Sequence, residues 1–526
     1  MHPSVRAEVR VAGEGGVSLA ADVYRPRADG DVPTILIRTP YGKSNFLEEG
    51  LFWARHGLAC VVQDVRGRFE SGGNWWPYLH ERDDAKATAD WLCSQPWSDG
   101  RIIPSGSSYG AFTAWSAALA VPDLVRGVIS RVPAMGLKEV KFEVDGVLRL
   151  AEHVAWWLTW GDCRTARPRL AKAMVSAEPD LLAHLPVIDL GSRLWADVPG
   201  WSRVLDPESA LMEPSLSESE LAGLDVPALH IGGWHDPLLP ATLRLWGAVG
   251  ADRTPRPRRS LLIGPWPHQL TAAGTTFGHR DFGPTSRVRL GDRELEWVQS
   301  ILCRESESPS GASPVQVFVM VQNRWVDLTN WPPPSGSETI LYAASANTLQ
   351  ATSPRLAGSD TFRYDPRDPY PSRVLPVDRS DLDNRQDIVR YTSPPLEQPL
   401  VIAGEPHVVL TVHTDCDATD FIVRLVEELP DGRILPISRG CLAVEQAYGH
   451  APGTGHVIPM TPTALMVRAG HRIRLDITSS DFPELARNLN TGQDRYRTSD
   501  TRVAHQSVFY GGDDPTRIIL PTGGLA

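Results

Sequence analysis

The sequence predicts an α/β fold built on a parallel sheet, interrupted by a helical insertion and followed by an all-β domain. Strand and helix patterns alternate at first, the strand signal fades from about residue 135, and short alternating runs with Gly, Pro and Asp turns dominate the last part. Strands that alternate with helices favour βαβ units, since parallel neighbours need a crossover. We therefore expect a core at 1–134 and 226–310, an insertion at 135–225 and a β-sandwich at 311–526.

Each predicted element rests on a local pattern. Short runs of β-branched and apolar residues predict core strands at Val5–Val11, Val17–Tyr24, Thr34–Ile37, Ala59–Gln63, Ile102–Ser105, Val125–Ser130, Val226–Ile231 and Ser260–Ile263. Helical periods predict helices at Phe46–His56, Asp83–Cys93, Ala111–Ala120 and Pro240–Val249. After a Ser- and Pro-rich linker, the clearest alternating runs of the β-sandwich are Val315–Met320, His407–Val412 and Arg472–Ile477.

Composition and charge exclude several classes of protein. A chain of 526 residues and 57.7 kDa is expected to hold several domains of roughly 100–200 residues each. Its hydrophobic fraction of 42% and charged fraction of 22% are those of a globular protein, not of a disordered or collagen-like one. The net charge of -11 does not favour nucleic-acid binding, and the basic cluster Arg253–Arg259 is broken by prolines.

The sequence carries no metal, disulfide or membrane signature. Its cysteines have neither a Cys-x-x-Cys pair nor a histidine at ligand spacing, so we expect buried thiols, no metal and no other cofactor. They are Cys60, Cys93, Cys163, Cys303, Cys416 and Cys441. The segment Met1–Arg6 lacks the apolar run of a signal peptide, and no stretch approaches the roughly 18 apolar residues of a membrane span. We therefore expect a cytoplasmic protein that binds neither membranes nor nucleic acid.

Ser108 is the predicted nucleophile. It is the centre of Gly106-Ser107-Ser108-Tyr109-Gly110, a Gly-x-Ser-x-Gly segment between a predicted strand and a predicted helix. In a nucleophile elbow the backbone turns sharply and exposes the serine at the carboxyl end of the sheet, which requires small residues on both sides. Ser107 does not fit, because Ser105 and Tyr109 would stand where the glycines belong. The segment predicts an α/β-hydrolase core with a serine nucleophile.

Asp236 and His268 are the predicted partners of this serine. A serine needs an imidazole to take its proton, and the imidazole needs a carboxylate to hold its tautomer. In α/β-hydrolases these residues follow the chain order Ser, acid, His, each after a strand. Asp236 follows the strand ending at Ile231, and His268 follows the strand ending at Ile263. The three side chains are thus expected at one edge of the sheet.

Neighbouring histidines and acids fit these roles less well. His235 adjoins Asp236 and is expected to point away from it, whereas His230 lies within a strand as a core histidine. Asp64 precedes the nucleophile, which is the wrong order for the acid. We interpret Asp64 and Arg66 as a structural pair near the site.

Several ordered motifs extend along nearly the whole chain. They are Arg38–Lys43, Gln63–Arg68 with Ser71–Gly73, Gly106–Gly110, Gly233–Asp236, Gly264–His268, Gly470–Leu475 and Ser480–Pro483. With these motifs the chain resembles the family of bacterial cocaine esterases, α-amino-acid ester hydrolases and Xaa-Pro dipeptidyl-peptidases. The resemblance implies a catalytic triad of Ser108, Asp236 and His268, a helical cap in the insertion and a C-terminal jelly roll.

The resemblance also implies an oxyanion hole formed by Tyr41 and the backbone N–H of Tyr109. The physical case agrees, because a tetrahedral intermediate needs donors fixed where its negative charge develops. Tyr109 follows the nucleophile, and Tyr41 follows an early strand of the same sheet. One such donor typically contributes about 10²–10³ in rate.

The insertion and the loops are expected to supply an acyl pocket, since aromatic and apolar side chains bury large areas around a substrate. The candidate lining residues are Phe142, Trp156, Trp157, Trp160, Leu238 and Trp266. Family members that prefer a free α-amino group carry acids near the catalytic acid, but here Asp236 precedes Pro237–Leu239. This disfavours an ammonium substrate, although Glu139, Glu143 and Asp145 keep that alternative open.

The expected function is hydrolysis of a small-molecule ester or amide through an acyl-enzyme, in the manner of a carboxylic ester hydrolase. Two alternatives use the same site: acyl transfer to an amine or alcohol in biosynthesis, and Xaa-Pro dipeptidyl-peptidase activity. A third hypothesis makes the β domain a carbohydrate-binding module, because jelly rolls serve as lectins. The natural substrate and the oligomeric state stay open, with a homodimer as one alternative.

Overall fold

A mixed sheet of ten strands organises the first part of the chain in the computed structural model. The structure describes residues 3–525 except 28–29, 144–145, 162–163, 195–197, 199, 207–208, 210–211, 213–214, 271–273, 304–312, 335, 374–375 and 446–454. The strands up to the end of this sheet are β1 (Pro3–Ala12), β2 (Ser18–Pro26), β3 (Val32–Thr39), β4 (Ala59–Asp64), β5 (Ser98–Ser107), β6 (Val128–Arg131), β7 (Ala228–His235), β8 (Arg259–Pro267), β9 (Thr276–Phe277), β10 (Arg280–Asp281), β11 (Val315–Val319) and β12 (Arg324–Leu328).

The strand order of this sheet is β1-β2-β4-β3-β5-β6-β7-β8-β11-β12, while β9 and β10 form a separate hairpin. Strands β3 to β8 and β11 run parallel to one another, and antiparallel pairs occur only toward the two ends, where β2 meets β1 and β4 and where β12 meets β11. The carboxyl ends of β5, β7 and β8 therefore lie at one edge, where ligands bind in open α/β sheets.

Helices pack on this sheet and form the insertion. They are α1 (Leu47–Arg55), α2 (Glu81–Cys93), α3 (Tyr109–Ala120), α4 (Leu137–Lys141), α5 (Leu150–Trp156), α6 (Leu170–Ala177), α7 (Leu190–Arg193), α8 (Trp201–Val204), α9 (Glu218–Ala222), α10 (Leu239–Ala248) and α11 (Leu290–Leu302), with a π-helical turn at Trp157–Gly161. Short 3₁₀ turns lie at Glu14–Gly16, Lys43–Phe46, Pro122–Leu124, Leu181–Ala183, Val187–Asp189, Pro284–Ser286 and Ser380–Leu382. Within the described ranges, none of the helices has both the length and the apolar character needed to cross a bilayer.

The predicted core elements are all present, with ends displaced by a few residues. Helix α11 has no counterpart in the prediction, although it buries Trp297 and Val298 against the sheet. The insertion consists of short helices, as the fading strand signal indicates. Its buried side chains join those of α3 and the loop after β4 in one apolar cluster, so the insertion packs directly on the core.

The described residues after Leu328 form a second sheet, in which thirteen strands are defined. Its strands are β13 (Gly336–Ala344), β14 (Thr348–Gln350), β15 (Gly358–Tyr364), β16 (Ile388–Thr392), β17 (Leu400–Gly404), β18 (His407–Thr414), β19 (Ala418–Glu428), β20 (Ile434–Glu445), β21 (Gly455–Pro459), β22 (Thr463–Val467), β23 (Arg472–Thr478), β24 (Ala504–Tyr510) and β25 (Arg517–Gly523). Inward-facing residues such as Phe421, Leu475 and Ile518 are fully buried in a second core. The C-terminal part is thus an all-β domain.

The start of this domain differs from the prediction. The run beginning at Val315 was expected to open the β-sandwich, but β11 pairs in parallel with β8, with Val315 opposite Leu261 and Val317 opposite Ile263. Strand β12 then pairs with β11, so the first sheet continues to Leu328. A period of two shows which faces of a strand are apolar, but not which sheet the strand joins.

The cysteines do not all lie in the interior. The buried ones are Cys60, Cys416 and Cys441. Cys93 and Cys303 are exposed, so the expectation of buried thiols is wrong for these two. Cys93 ends α2 and Cys303 follows α11, where the chain leaves the packed face of each helix. Cys163 lies outside the described residues.

Candidate active site

Ser108 lies on a sharp turn between β5 and α3. Its backbone has φ 57° and ψ -122°, a conformation that costs a non-glycine residue of order 1–3 kcal/mol. A Cβ on Gly106 would lie 2.0 Å from the carbonyl oxygen of Gly110, so this turn requires glycine at position 106. At Gly110 the nearest atom to an added Cβ is 3.7 Å away, which leaves room for a methyl group. Gly110, two residues after the serine, is therefore less restricted to glycine than the nucleophile-elbow pattern predicts.

Main-chain hydrogen bonds fix the turn to the neighbouring strand. The N–H of Ser108 donates to the carbonyl of Arg131 at 3.0 Å, and the N–H of Ala134 donates to the carbonyl of Ser108 at 3.2 Å. Arg131 is the last residue of β6. The strained serine is thus held by the sheet as well as by α3.

Asp236 and His268 meet at the same edge. His268 Nδ1 lies 2.8 Å from Asp236 Oδ1, and the N–H of Leu238 donates to the same oxygen at 3.0 Å. The two loops approach closely because Gly233 has no side chain: a Cβ there would lie 2.1 Å from the carbonyl oxygen of Trp266. The structure therefore brings the predicted acid and the predicted histidine together.

The environment of His268 favours its protonated form. Burial lowers the pKa of the imidazole, but the charge and hydrogen bond of Asp236 outweigh burial and raise the pKa above its ordinary value, with a further contribution from Glu152 in α5. The Asp236 side chain is fully buried, whereas the His268 side chain is 29% exposed. A buried carboxylate that stabilises an imidazolium is the arrangement that a general base requires.

Ser108 and His268 are not hydrogen-bonded to each other in the described part of the chain. The side chain of Ser108 interacts instead with the phenol of Tyr41.

Tyr41 follows β3 and reaches the nucleophile. Burial raises the pKa of its phenol, while hydrogen bonds with the Ser108 side chain, the Trp156 side chain and the Tyr109 backbone oppose this rise. The phenol therefore stays protonated at neutral pH and can donate a hydrogen bond. Its contacts lie next to both the serine and the following amide, where an oxyanion hole would form.

Arg68 holds the loop that carries Tyr41, a role that the sequence analysis did not assign. Its Nε donates to the carbonyl of Pro40 at 3.0 Å, and Nη1 donates to the carbonyl of Trp160 at 2.7 Å. Its guanidinium also lies 4.5 Å from the centroid of the Trp75 ring. The segment that ends at Arg68 is one of the motifs behind the resemblance, which was the available signal.

Two of the predicted pocket residues lie beside Tyr41. The ring of Trp160 meets that of Tyr41 edge to face at 4.8 Å. Trp156 interacts with the Tyr41 phenol and lies 5.7 Å from Trp75, a residue that the sequence analysis did not single out. All three tryptophans are only partly buried, so this cluster can present apolar surface to a substrate.

The other four predicted pocket residues lie elsewhere. Trp266 donates to the carbonyl of Ser286 at 3.0 Å and is buried on the face of the sheet that packs on α1 and α11. Trp157 is buried inside the insertion, and Leu238 is buried and supports Asp236 through its backbone. Phe142 lines a cavity of about 650 Å³ between the insertion and the all-β domain. The apolar character of these side chains therefore does not show whether they pack in the interior or line a substrate pocket.

The rival residues have structural roles. His230 stacks on Trp115 at 5.7 Å, and His235 packs on Phe277 at 5.3 Å; burial lowers the pKa of each histidine to about 3. His230 is fully buried and His235 partly buried, and each packs against aromatic rings. Within the described ranges, no group of three or more His, Cys, Asp or Glu side chains is arranged to hold a metal ion.

The expected pair of Asp64 and Arg66 is wrong. Asp64 accepts from the N–H of Lys43 at 2.7 Å, so its carboxylate turns into the loop after β3. Arg66 instead pairs with Asp84 of α2 at 2.6 Å. Main-chain donors satisfy Asp64, which leaves Arg66 to bind the helix.

The acidic side chains of the insertion differ in whether other side chains already bind them. Glu143 pairs with Arg149 at 3.1 Å and with Arg439 at 2.8 Å; although burial opposes it, these two charges hold the pKa of Glu143 at about 2. One carboxylate oxygen of Glu139, in contrast, is buried without a hydrogen-bond partner among the described residues. Asp145 lies outside the described residues. Among the described acids that the sequence pointed to, Glu139 therefore remains a candidate partner for a substrate ammonium.

Comparison with known proteins identifies the family. Residues 15–270 match the X-Pro dipeptidyl-peptidase (S15 family), and residues 310–519 match the X-Pro dipeptidyl-peptidase C-terminal non-catalytic domain. The chain is 31% identical over 578 residues to cocaine esterase of Rhodococcus sp. (strain MB1 Bresler), with 98% of each chain covered.

Solved structures share the fold of this chain. The fold matches an α-amino acid ester hydrolase with a TM-score of 0.85 and 21% identity, covering 99% of this chain and 97% of that one. It also matches a CocE/NonD family hydrolase from Staphylococcus aureus with a TM-score of 0.67 and 15% identity, covering 99% and 94%. These likenesses confirm the α/β-hydrolase core. Since the likeness to cocaine esterase runs through both the core and the all-β domain, the chain belongs to the CocE/NonD family, serine hydrolases of the S15 type that act on esters or peptides.

Proposed function

We propose that this chain hydrolyses carboxylic esters through an acyl-enzyme. Ser108 Oγ attacks the ester carbonyl while His268 takes its proton, and His268 then delivers that proton to the departing alkoxide. Water, deprotonated by His268, then attacks the acyl-enzyme carbonyl. The bond to Ser108 Oγ breaks, the acid leaves, and His268 returns its proton to Ser108 Oγ. The observation that carries the proposal is the 2.8 Å contact between His268 and Asp236 at the sheet edge that also holds the strained Ser108.

The oxyanion of each tetrahedral intermediate is stabilised by the phenol of Tyr41 and the backbone N–H of Tyr109. The contacts of the Tyr41 phenol with Ser108 and with the Tyr109 backbone support this assignment. Donors that are already fixed in place need no reorganisation when charge develops, which is why such sites lower barriers strongly.

Hydrolysis is favoured over acyl transfer by the exposure of the proposed base. The His268 side chain is 29% exposed, so water can reach it, whereas acyl transfer needs water to be excluded. Product analysis with and without an added amine or alcohol separates the two reactions. Free acid formed at the same rate without acceptor supports hydrolysis, and turnover that depends on the acceptor would favour transfer.

The preferred substrate is an ester whose acyl group carries no free amine. The side chains of Leu238 and Leu239 after Asp236 are apolar and buried. The ammonium of Lys141 lies 4.5 Å from the centroid of the Trp156 ring, where it would repel a second cation. The partnerless oxygen of Glu139 supports one other candidate, an aminoacyl ester or peptide. A panel of acyl and aminoacyl p-nitrophenyl esters and aminoacyl-proline anilides, repeated with Glu139→Gln, decides between them.

Replacement of the nucleophile tests the mechanism. Ser108→Ala is expected to lower kcat for p-nitrophenyl esters by at least about 10³-fold, because loss of a triad serine removes the covalent route. Ser107→Ala is the matched control: it removes the adjacent hydroxyl and is expected to keep turnover within a few-fold of wild type. Activity of Ser108→Ala within about tenfold of wild type would refute the proposal.

A further inference from the structure

A buried polar cluster lies beneath the nucleophile turn and has no role in the proposed reaction. Its members are Arg38 of β3, Glu81 at the start of α2 and Tyr109 at the start of α3, which are 1%, 3% and 0% exposed. Burial of an ion pair rarely stabilises a fold more than apolar packing of the same volume would. The cluster therefore calls for an explanation other than stability.

The phenol of Tyr109 is held from three sides. Its hydroxyl donates to Glu81 Oε1 at 2.7 Å and accepts from the N–H of Tyr78 at 2.7 Å and from the indole N–H of Trp75 at 3.3 Å. The ring also stacks on that of Tyr78 at 4.3 Å. The side chain of the residue after the nucleophile thus has a single position.

The same carboxylate holds β3. Glu81 Oε2 pairs with Arg38 Nη2 at 3.0 Å, and Arg38 Nη1 donates to the carbonyl of Glu81 at 2.6 Å. Arg38 Nε is fixed in turn by the side-chain oxygen of Gln63 at 3.1 Å. Strand β3 ends at Thr39, two residues before Tyr41.

We infer that Glu81 is a positioning residue that sets the spacing of the two oxyanion donors, an inference that rests on the function proposed above. Through the Tyr109 phenol it fixes the peptide N–H that follows Ser108, and through Arg38 it fixes the strand that leads to Tyr41. The peptide after Ser108 needs such an anchor, because the backbone of Ser108 is strained. A misplacement of about 1 Å at a catalytic group can cost about 10² in rate.

Tyr109→Phe tests the inference directly, because it keeps the ring and the backbone N–H and removes only the hydroxyl bound to Glu81. We expect kcat for a p-nitrophenyl ester to fall about tenfold or more while KM stays within about twofold. Affinity for an alkyl boronic acid, which mimics the tetrahedral intermediate, is expected to fall in parallel with kcat.

Tyr364→Phe is the matched control. Tyr364 is also fully buried, and its hydroxyl donates to the carbonyl of Asn488 at 2.9 Å in the all-β domain. This variant also removes a buried phenol hydroxyl and its hydrogen bond, so it is expected to lower thermal stability while kcat stays unchanged. Equal falls of kcat in both variants would assign the effect to general destabilisation and overturn the inference.

A second variant changes the carboxylate of Glu81 itself. Glu81→Gln is expected to lower kcat at least as much as Tyr109→Phe, because it weakens the links to both Tyr109 and Arg38. The double variant is expected to lower kcat no further than Glu81→Gln alone, because the Tyr109 link is already broken. Additive losses, or Tyr109→Phe with wild-type kcat beside an inactive Ser108→Ala, would overturn the positioning role alone. An active Ser108→Ala would overturn this role and the proposed function together.

Discussion

At the carboxyl edge of the first sheet, each proposed catalytic residue closely follows a strand, whereas in the insertion the side chains nearest the site lie on short helical segments. Helix α4 has 5 residues and α5 has 7, too few for a helix to be stable without packing. The edge, in contrast, is fixed by hydrogen bonds between parallel strands. The difference teaches that the proposed catalytic residues lie on the hydrogen-bonded part of the molecule, whereas the neighbouring insertion depends on packing for its stability. Substitutions at the edge should therefore change kcat by orders of magnitude, and those in the insertion should change kcat by much smaller factors.

The largest effect is expected at the acid. Asp236→Asn keeps the shape of the side chain but removes the charge that holds the His268 tautomer and raises its pKa. In a comparable triad this exchange lowers kcat about 10⁴-fold, and we expect a loss of that order here. Steady-state kinetics with a p-nitrophenyl ester measure it. A loss below about tenfold would mean that the pairing is structural.

Alanine substitutions at the two glycines of the turn should differ in their effect on kcat. Gly106→Ala places a Cβ 2.0 Å from a carbonyl oxygen, so the turn must shift, and we expect kcat to fall by about 10² or more. Gly110→Ala meets its nearest atom at 3.7 Å and is expected to keep activity within a few-fold. Kinetics and thermal unfolding of both variants make the comparison. Equal losses would show that the turn tolerates no side chain on either side of the serine.

The smallest effect is expected in the insertion. Glu152 contributes to the raised pKa of His268, so Glu152→Gln should lower that pKa. Because the base must be neutral, activity is lost as pH falls through this pKa, and the acid limb of the kcat/KM profile should move to lower pH while the plateau stays within about threefold. Glu218→Gln, at an exposed position of α9, removes the same charge as a control. A plateau loss as large as that of Asp236→Asn would break the distinction between edge and insertion.

The sequence predicts most of the core because its strands are short apolar runs closed by turn residues. The same local logic places Asp236 and His268 after neighbouring strands, and the structure brings them together. Their catalytic roles stay predictions, as does the jelly-roll topology of the all-β domain. The family resemblance, carried by motifs along the chain, is confirmed.

What the sequence could not predict depends on contacts between distant residues. Trp157 and Trp160 lie three positions apart in one π-helical turn, yet of the two only Trp160 contacts the Tyr41 ring, whereas Trp157 is buried in the insertion. The anchoring role of Glu81 is not predictable from the sequence for the same reason, because its hydrogen-bond partners lie 28 or more residues away along the chain. No local pattern distinguishes such a glutamate from one on a solvated helix face.

The pairing of β8 with β11 has a consequence for shortened forms of the protein. A chain cut near residue 312, where the sequence texture changes, would lose β11 and β12 and leave β8 with an open row of unpaired N–H and C=O groups. Such exposed strand edges recruit other chains and promote aggregation. The smallest soluble catalytic fragment should therefore extend at least to Leu328, and a fragment trimmed at the apparent linker should precipitate.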